Sequence, residues 1–163
     1  MTYDRNRLVS NFRVGLEWLQ KQINTCIPGK VVSFDAATAR AVVQPTIQVR
    51  LRSGATSDLP QIHDVPVVYP AGGGYSITFP LVEDDPVLLV FSQRGMTQWK
   101  SSMDTAEPDV GVFHALNDAI AIPGIATSGI SENGLQINTP LGGAILINGV
   151  SLDDYIMGVV NQP

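Results

Sequence analysis

Cysteine is almost missing from this chain of 163 residues: Cys26 stands alone, so no intrachain disulfide forms and no cysteine-based metal cluster is available. Histidine is nearly as scarce, and with two of them a transition-metal site would have to borrow ligands from neighbouring chains. Charge is thin as well. Asp, Glu, Lys and Arg make up 15% of the sequence, against about 25% in an ordinary soluble domain. So low a fraction predicts an outer surface that is largely hidden against other chains. No apolar run approaches the ~18 residues of a membrane span, and Met1 to Lys21 has no uninterrupted apolar core of signal-peptide type, so synthesis and assembly in a cytoplasm are expected.

Recognisable catalytic motifs are also lacking. Gly72-Gly73-Gly74 has no Gly-Lys-Ser/Thr ending and precedes a strand, which excludes a phosphate loop. His114 and Asp118 stand four apart with no nucleophile motif beside them, so a local structural hydrogen bond is expected there. Glu83-Asp84-Asp85 reads as a solvated hairpin tip, His63-Asp64 as loop, and Cys26 as a buried structural thiol. The expectation is a protein that is not an enzyme, with no catalytic residues, no cofactor and no metal.

What is present is unevenly spread. Residues 1–52 carry eight Lys/Arg and three acids, a net +5, whereas the remainder carries two bases and twelve acids, a net −10. An acidic second part repels a phosphate backbone, so no specific nucleic-acid binding is expected.

From Asp4 to about Asn24 one amphipathic helix is predicted: Leu8, Phe12, Leu16, Leu19 and Ile23 recur at spacings of three and four, and Pro28-Gly29 is read as its stop. A single helix of this length is marginal in water, so its stripe must pack on something. Either it lies on its own domain or its copies, or it is an arm that docks on a neighbouring protein.

Beyond Lys30 the period becomes two. Val31–Phe34 reads as a strand, 35–38 as a turn, and Ala39, Ala41, Val43, Pro45, Ile47, Val49 and Leu51 alternate cleanly with polar neighbours as one long strand, with Pro45 at an edge or a bulge. Val65–Tyr69 is a further strand. Tyr75, Ile77, Phe79 and Leu81 share one face, and Glu83-Asp84-Asp85-Pro86 turns the chain into the apolar run Val87–Phe91, which together predict a central hairpin. Five or six such strands close a small barrel of OB type. Arg94–Asp109 reads as a surface loop anchored by Trp99, and Phe113–Pro123 as a turn and a short strand.

In the last third Leu135, Ile137, Leu141, Ile145 and Ile147 alternate with polar residues about a turn at Pro140–Gly143. Five aliphatic side chains cannot offset the backbone entropy of ordering sixteen residues, so the ribbon needs partners. Two or three copies related by symmetry would wrap it into a prism with those five residues on the axis. Ser151 to Ile156 reads as a capped short helix. The predicted organisation is a helical arm over 1–27, an OB domain over 28–125, a β-helix segment over 126–150 and a short helix and tail over 151–163.

Val68-Tyr69-Pro70 with Gly72-Gly73-Gly74, Ser76 to Leu81, Val87 to Phe91, Ser92-Gln93-Arg94 and Trp99 resemble the N-terminal OB domain of central spike proteins from contractile-tailed phage baseplates. His114 to Gly124 resembles the segment that follows in that family, so the likeness spans about residues 28–125. It implies a mainly β homotrimer in the virion, with OB domains as a collar under the tail hub and a three-chain β-helix pointing at the host envelope. It also implies tail hub and tube proteins as partners on the N-terminal side, with Leu8, Phe12, Leu16, Leu19 and Ile23 as the docking helix. Many such spikes end in a His-x-His that binds iron. No histidine follows His114 here, so a separate tip protein on the C-terminal end, or a blunt end, is expected. The alternative from another class is an OB module that binds a polymer, either single-stranded nucleic acid or cell-wall glycan.

Overall fold

The computed structural model describes residues 5–51, 53–126, 145–147 and 150–153. The chain divides into two compact units, Met1–Thr127 and Ser128–Pro163. The first is mainly β with a helix at its N-terminus.

Helix α1 spans Arg5–Gln22. It ends six residues before Pro28, so Pro28-Gly29 is not its stop; both lie inside strand β1, Cys26–Asp35. A proline is tolerated there because β1 pairs with β2, Arg40–Pro45, only from Gly29 onward. Pro28 turns its backbone to the side where β2 has already ended, and its carbonyl accepts the Thr46 backbone N–H at 3.0 Å, so no ladder bond is lost. Opposite Pro28, Gly29 is held between Val43 and Leu89, where an added Cβ would come within 2.7 Å of Val43 Cγ1.

The five-stranded sheet has the order β5–β2–β1–β8–β9, with β5 at Ile62–Pro66, β8 at Pro86–Phe91 and β9 at Ala119–Pro123. Every neighbouring pair is antiparallel, and the register shifts between Val31 and Ser33 and between Ala41 and Val43 bend the sheet. It curls into a half-barrel until the chain just past β5 reaches β9. Val67 makes a parallel bridge with Ala121, and the Val68 N–H donates to the Ala121 carbonyl at 2.9 Å. Inside the curl Val31, Val43, Ile62, Val65, Val87, Leu89, Ala119 and Ala121 are buried.

Three sequence expectations are corrected. The alternation from Ala39 to Leu51 is not one strand: β2 ends at Pro45, and Val49–Arg50 (β3) pairs instead with Thr56–Ser57 (β4) in a hairpin that leaves Ile47, Val49 and Leu51 exposed. Nor does 75–81 pair with 87–91. β8 bonds to β1 and β9, while Tyr75–Ser76 (β7) pairs with Ala71–Gly72 (β6) across a tight turn whose Gly73 and Gly74 both have positive φ. Of the predicted face only Leu81 is buried, and Tyr75 is 84% exposed. Within Arg94–Asp109 lies a short helix, α2 at Thr97–Ser102, and the anchor is the buried Met96, with Trp99 half-buried beside it.

His63-Asp64 lies in β5, with Asp64 at φ +53°. Cys26 is exposed as the first residue of β1. In the second unit, Leu146–Ile147 (β10) pairs with Val150–Ser151 (β11), and the Leu152 N–H donates to the Ile145 carbonyl at 2.8 Å. Ser151 therefore ends a strand, and helical residues begin at Leu152. The predicted turn at 140–143 lies outside the described residues, as do 154–156.

Candidate functional site

No predicted charged pair forms a reactive centre. His114 turns away from Asp118: its Nδ1 lies 3.0 Å from the Asn24 carbonyl, and its own carbonyl accepts the Asn24 side-chain amide at 2.7 Å. Asp118 is buried at 5% exposure, where its carboxylate accepts the Met96 N–H at 3.0 Å. Asp85 accepts the Val82 N–H at 2.8 Å and Asp84 pairs with Lys30 of β1 at 3.1 Å, while Glu83 and Asp84 stay exposed, as expected of a solvated turn.

One denser network joins α2 to the sheet. Arg40 reaches Asp64 at 3.2 Å and donates to the Lys100 carbonyl, while Lys100 Nζ donates to the Asn117 carbonyl at 2.8 Å. Partial burial holds the Lys100 amine below the usual lysine range, opposed by the nearby Asp64 and Asp118 carboxylates and reinforced by Arg40. Each group is occupied in tying loops together. Among the described residues no three His, Cys, Asp or Glu side chains gather closely enough to hold a metal ion.

The feature that stands out is apolar surface. Every described side chain of α1 is exposed, including Phe12 at 71%, Leu16 and Leu19, and Ile23 just past the helix end is exposed too. Leu8 lies on the same helix. At about 100° per residue these positions fall within one stripe roughly 80° wide. The sequence reading missed a second face. Val14 and Trp18 are also exposed and lie on the opposite side of the helix, with Arg7 and Lys21 flanking them. Their i, i+4 spacing carries that signal in the sequence.

Two further apolar surfaces belong to the half-barrel. Ile47, Val49 and Leu51 line the β3–β4 hairpin. Phe79, Leu81, Pro86, Pro123 and Ile125 line an open cleft of about 330 Å³, with Phe79 held edge-on to Tyr69 at 5.3 Å between ring centroids. The cleft's one carboxylate, Asp85, already serves the backbone. Of the five predicted axis residues, Ile145 is half-buried and Ile147 exposed in the second unit, whereas Leu135, Ile137 and Leu141 lie outside the described residues.

Residues 27–124, more than half of the chain, match the family model described as the phage protein Gp138 N-terminal domain. None of the curated proteins matches the chain.

Proposed function

The chain belongs to the family of the phage protein Gp138 N-terminal domain, and from that premise we propose that it is the trimeric central spike or hub-cap subunit of a phage tail baseplate. It joins tail hub and tube proteins on its N-terminal side to the tip that meets the host envelope, and it works as a structural part with no catalysis. The observation that carries this is the uncovered stripe of Phe12, Leu16, Leu19 and Ile23 on a helix whose every described side chain faces solvent. Such a helix does not hold its shape on propensity alone, so it is built for a partner.

The half-barrel supports the rest of the reading. Its strand order, closed by the parallel Val67–Ala121 bridge, fits a five-stranded OB barrel, a compact collar element. The second unit supplies the ribbon with Ile145 and Ile147, which we assign to the three-fold axis. A separate tip protein seats on that end.

Light scattering on the full chain at micromolar concentration tests the oligomer, and electron-microscope images of the particles test the symmetry. Mass of three chains and a three-fold collar are expected. A stable monomer overturns the proposal.

A further inference from the structure

The second face of α1, Val14 and Trp18 flanked by Arg7 and Lys21, lies opposite the stripe assigned to the hub, so one partner does not cover both. We infer that this second face seats on the loop 103–113 of a neighbouring copy of the same chain, so that the arms wrap the collar from subunit to subunit. The inference rests on the proposed oligomeric assembly and names the partner of its arm.

Charge selects the occupant. Of the basic residues of α1, Arg7 and Lys21 fall on this face, and the helix's one acid, Glu17, is paired with Arg13 at 3.5 Å. Between residues 101 and 117 there are three acids, Asp104, Glu107 and Asp109, and no Lys or Arg. None of the three enters an ion pair among the described residues. The same loop offers apolar surface in step with its acids: Val110 is 100% exposed, and Met103 and Phe113 are exposed too, with the Arg94 guanidinium 4.8 Å from the Phe113 ring centre. A basic, apolar face and an acidic, apolar loop are complementary in both respects.

The tether argues for another copy over the chain's own loop. Three residues, Ile23 to Thr25, connect α1 to β1. Two of them are tied: Asn24 to His114, and the Thr25 carbonyl to the Phe91 N–H at 2.9 Å. The tether leaves the arm little slack, and the described side chains of α1 and Val110 of the chain's own loop are all exposed, so the two do not cover one another.

Disulfide trapping tests this in the full chain. In a Cys26→Ser background, Val14→Cys with Val110→Cys is expected to give a reductant-sensitive ladder ending at three chains. Arg7→Glu with Lys21→Glu should lower the yield on the order of tenfold, and adding Asp104→Lys with Glu107→Lys should restore it. Phe12→Asp, on the hub stripe, should leave the ladder intact. Free thiols or a disulfide within one chain, in protein that still scatters as a trimer, overturn this inference and leave the assembly standing. A chain that scatters as a monomer overturns both.

Discussion

Asn24 and His114, ninety residues apart, hold one another twice: the Asn24 amide donates to the His114 carbonyl at 2.7 Å, and His114 Nδ1 meets the Asn24 carbonyl at 3.0 Å. His114 adopts a left-handed φ of +49° to make the second contact. The clasp pins the root of α1 to the loop that precedes β9. Asn24→Ala should remove the first contact, the side-chain amide on the His114 carbonyl, and leave the second, which uses the Asn24 backbone carbonyl. It is expected to cost about 1–2 kcal/mol in denaturant unfolding and to speed amide exchange at residues 23–25, with the sheet unaffected.

Gly29→Ala introduces a Cβ 2.7 Å from Val43 Cγ1 and 3.2 Å from Leu89 Cδ1, between two fully buried side chains. Overpacking at that site is expected to destabilise the half-barrel by about 1–3 kcal/mol. Calorimetry on the variant checks it, and an unchanged melting temperature would place the β2–β8 packing differently.

Asp118→Ala leaves the buried Met96 N–H without an acceptor, at a cost of about 1–3 kcal/mol. Asp118→Asn keeps a side-chain oxygen in place and should recover most of the loss. Equal damage from both would mean that the negative charge, and not the acceptor, is what matters.

The Asp35 carboxyl is held below its ordinary value of 3.8 by the Thr38 hydroxyl first and the Ala37 N–H second. Because folding depresses this group, its contribution is present above the unfolded value and fades as pH falls through the folded one. Thr38→Val should therefore move the Asp35 midpoint upward in an NMR titration and flatten the acid limb of stability at this turn. A midpoint that stays where it was would rule out the hydroxyl as the main cause.

Ile147→Asp puts a carboxylate on the proposed three-fold axis. It is expected to convert the sedimenting species to single chains, because burying an unpaired charge costs more than the ribbon's contacts return. A variant that remains trimeric and equally heat-resistant would remove Ile147 from the axis.

Local pattern was enough for the elements whose partners did not matter. The i, i+3, i+4 spacing of Leu8, Phe12, Leu16 and Leu19 marked α1, and the run Val87–Phe91 marked a strand, although its burial alternates and Val90 is exposed where cover on both faces was expected. The stripe on α1 was legible for the same reason, since it depends on one helix alone. Val14 and Trp18 were written in the sequence just as plainly and needed only the opposite face to be traced.

What the sequence by itself determined was periodicity: where the long helix and the extended runs lie and which side chains share a face, though not the short helix α2. Only the tertiary structure decided which faces are inside. Ile47, Val49 and Leu51 continue the pattern of Ala41 and Val43 without a break, yet Pro45 ends the ladder and the later three face solvent. Tyr75 and Ile77 are exposed for a related reason, because β8 takes β1 and β9 as neighbours and Tyr75 has only the two-residue strand β6 beside it. Alternation fixes the relative orientation of residues along one strand, but burial depends on which other strand arrives, and that is settled by contacts distant in sequence.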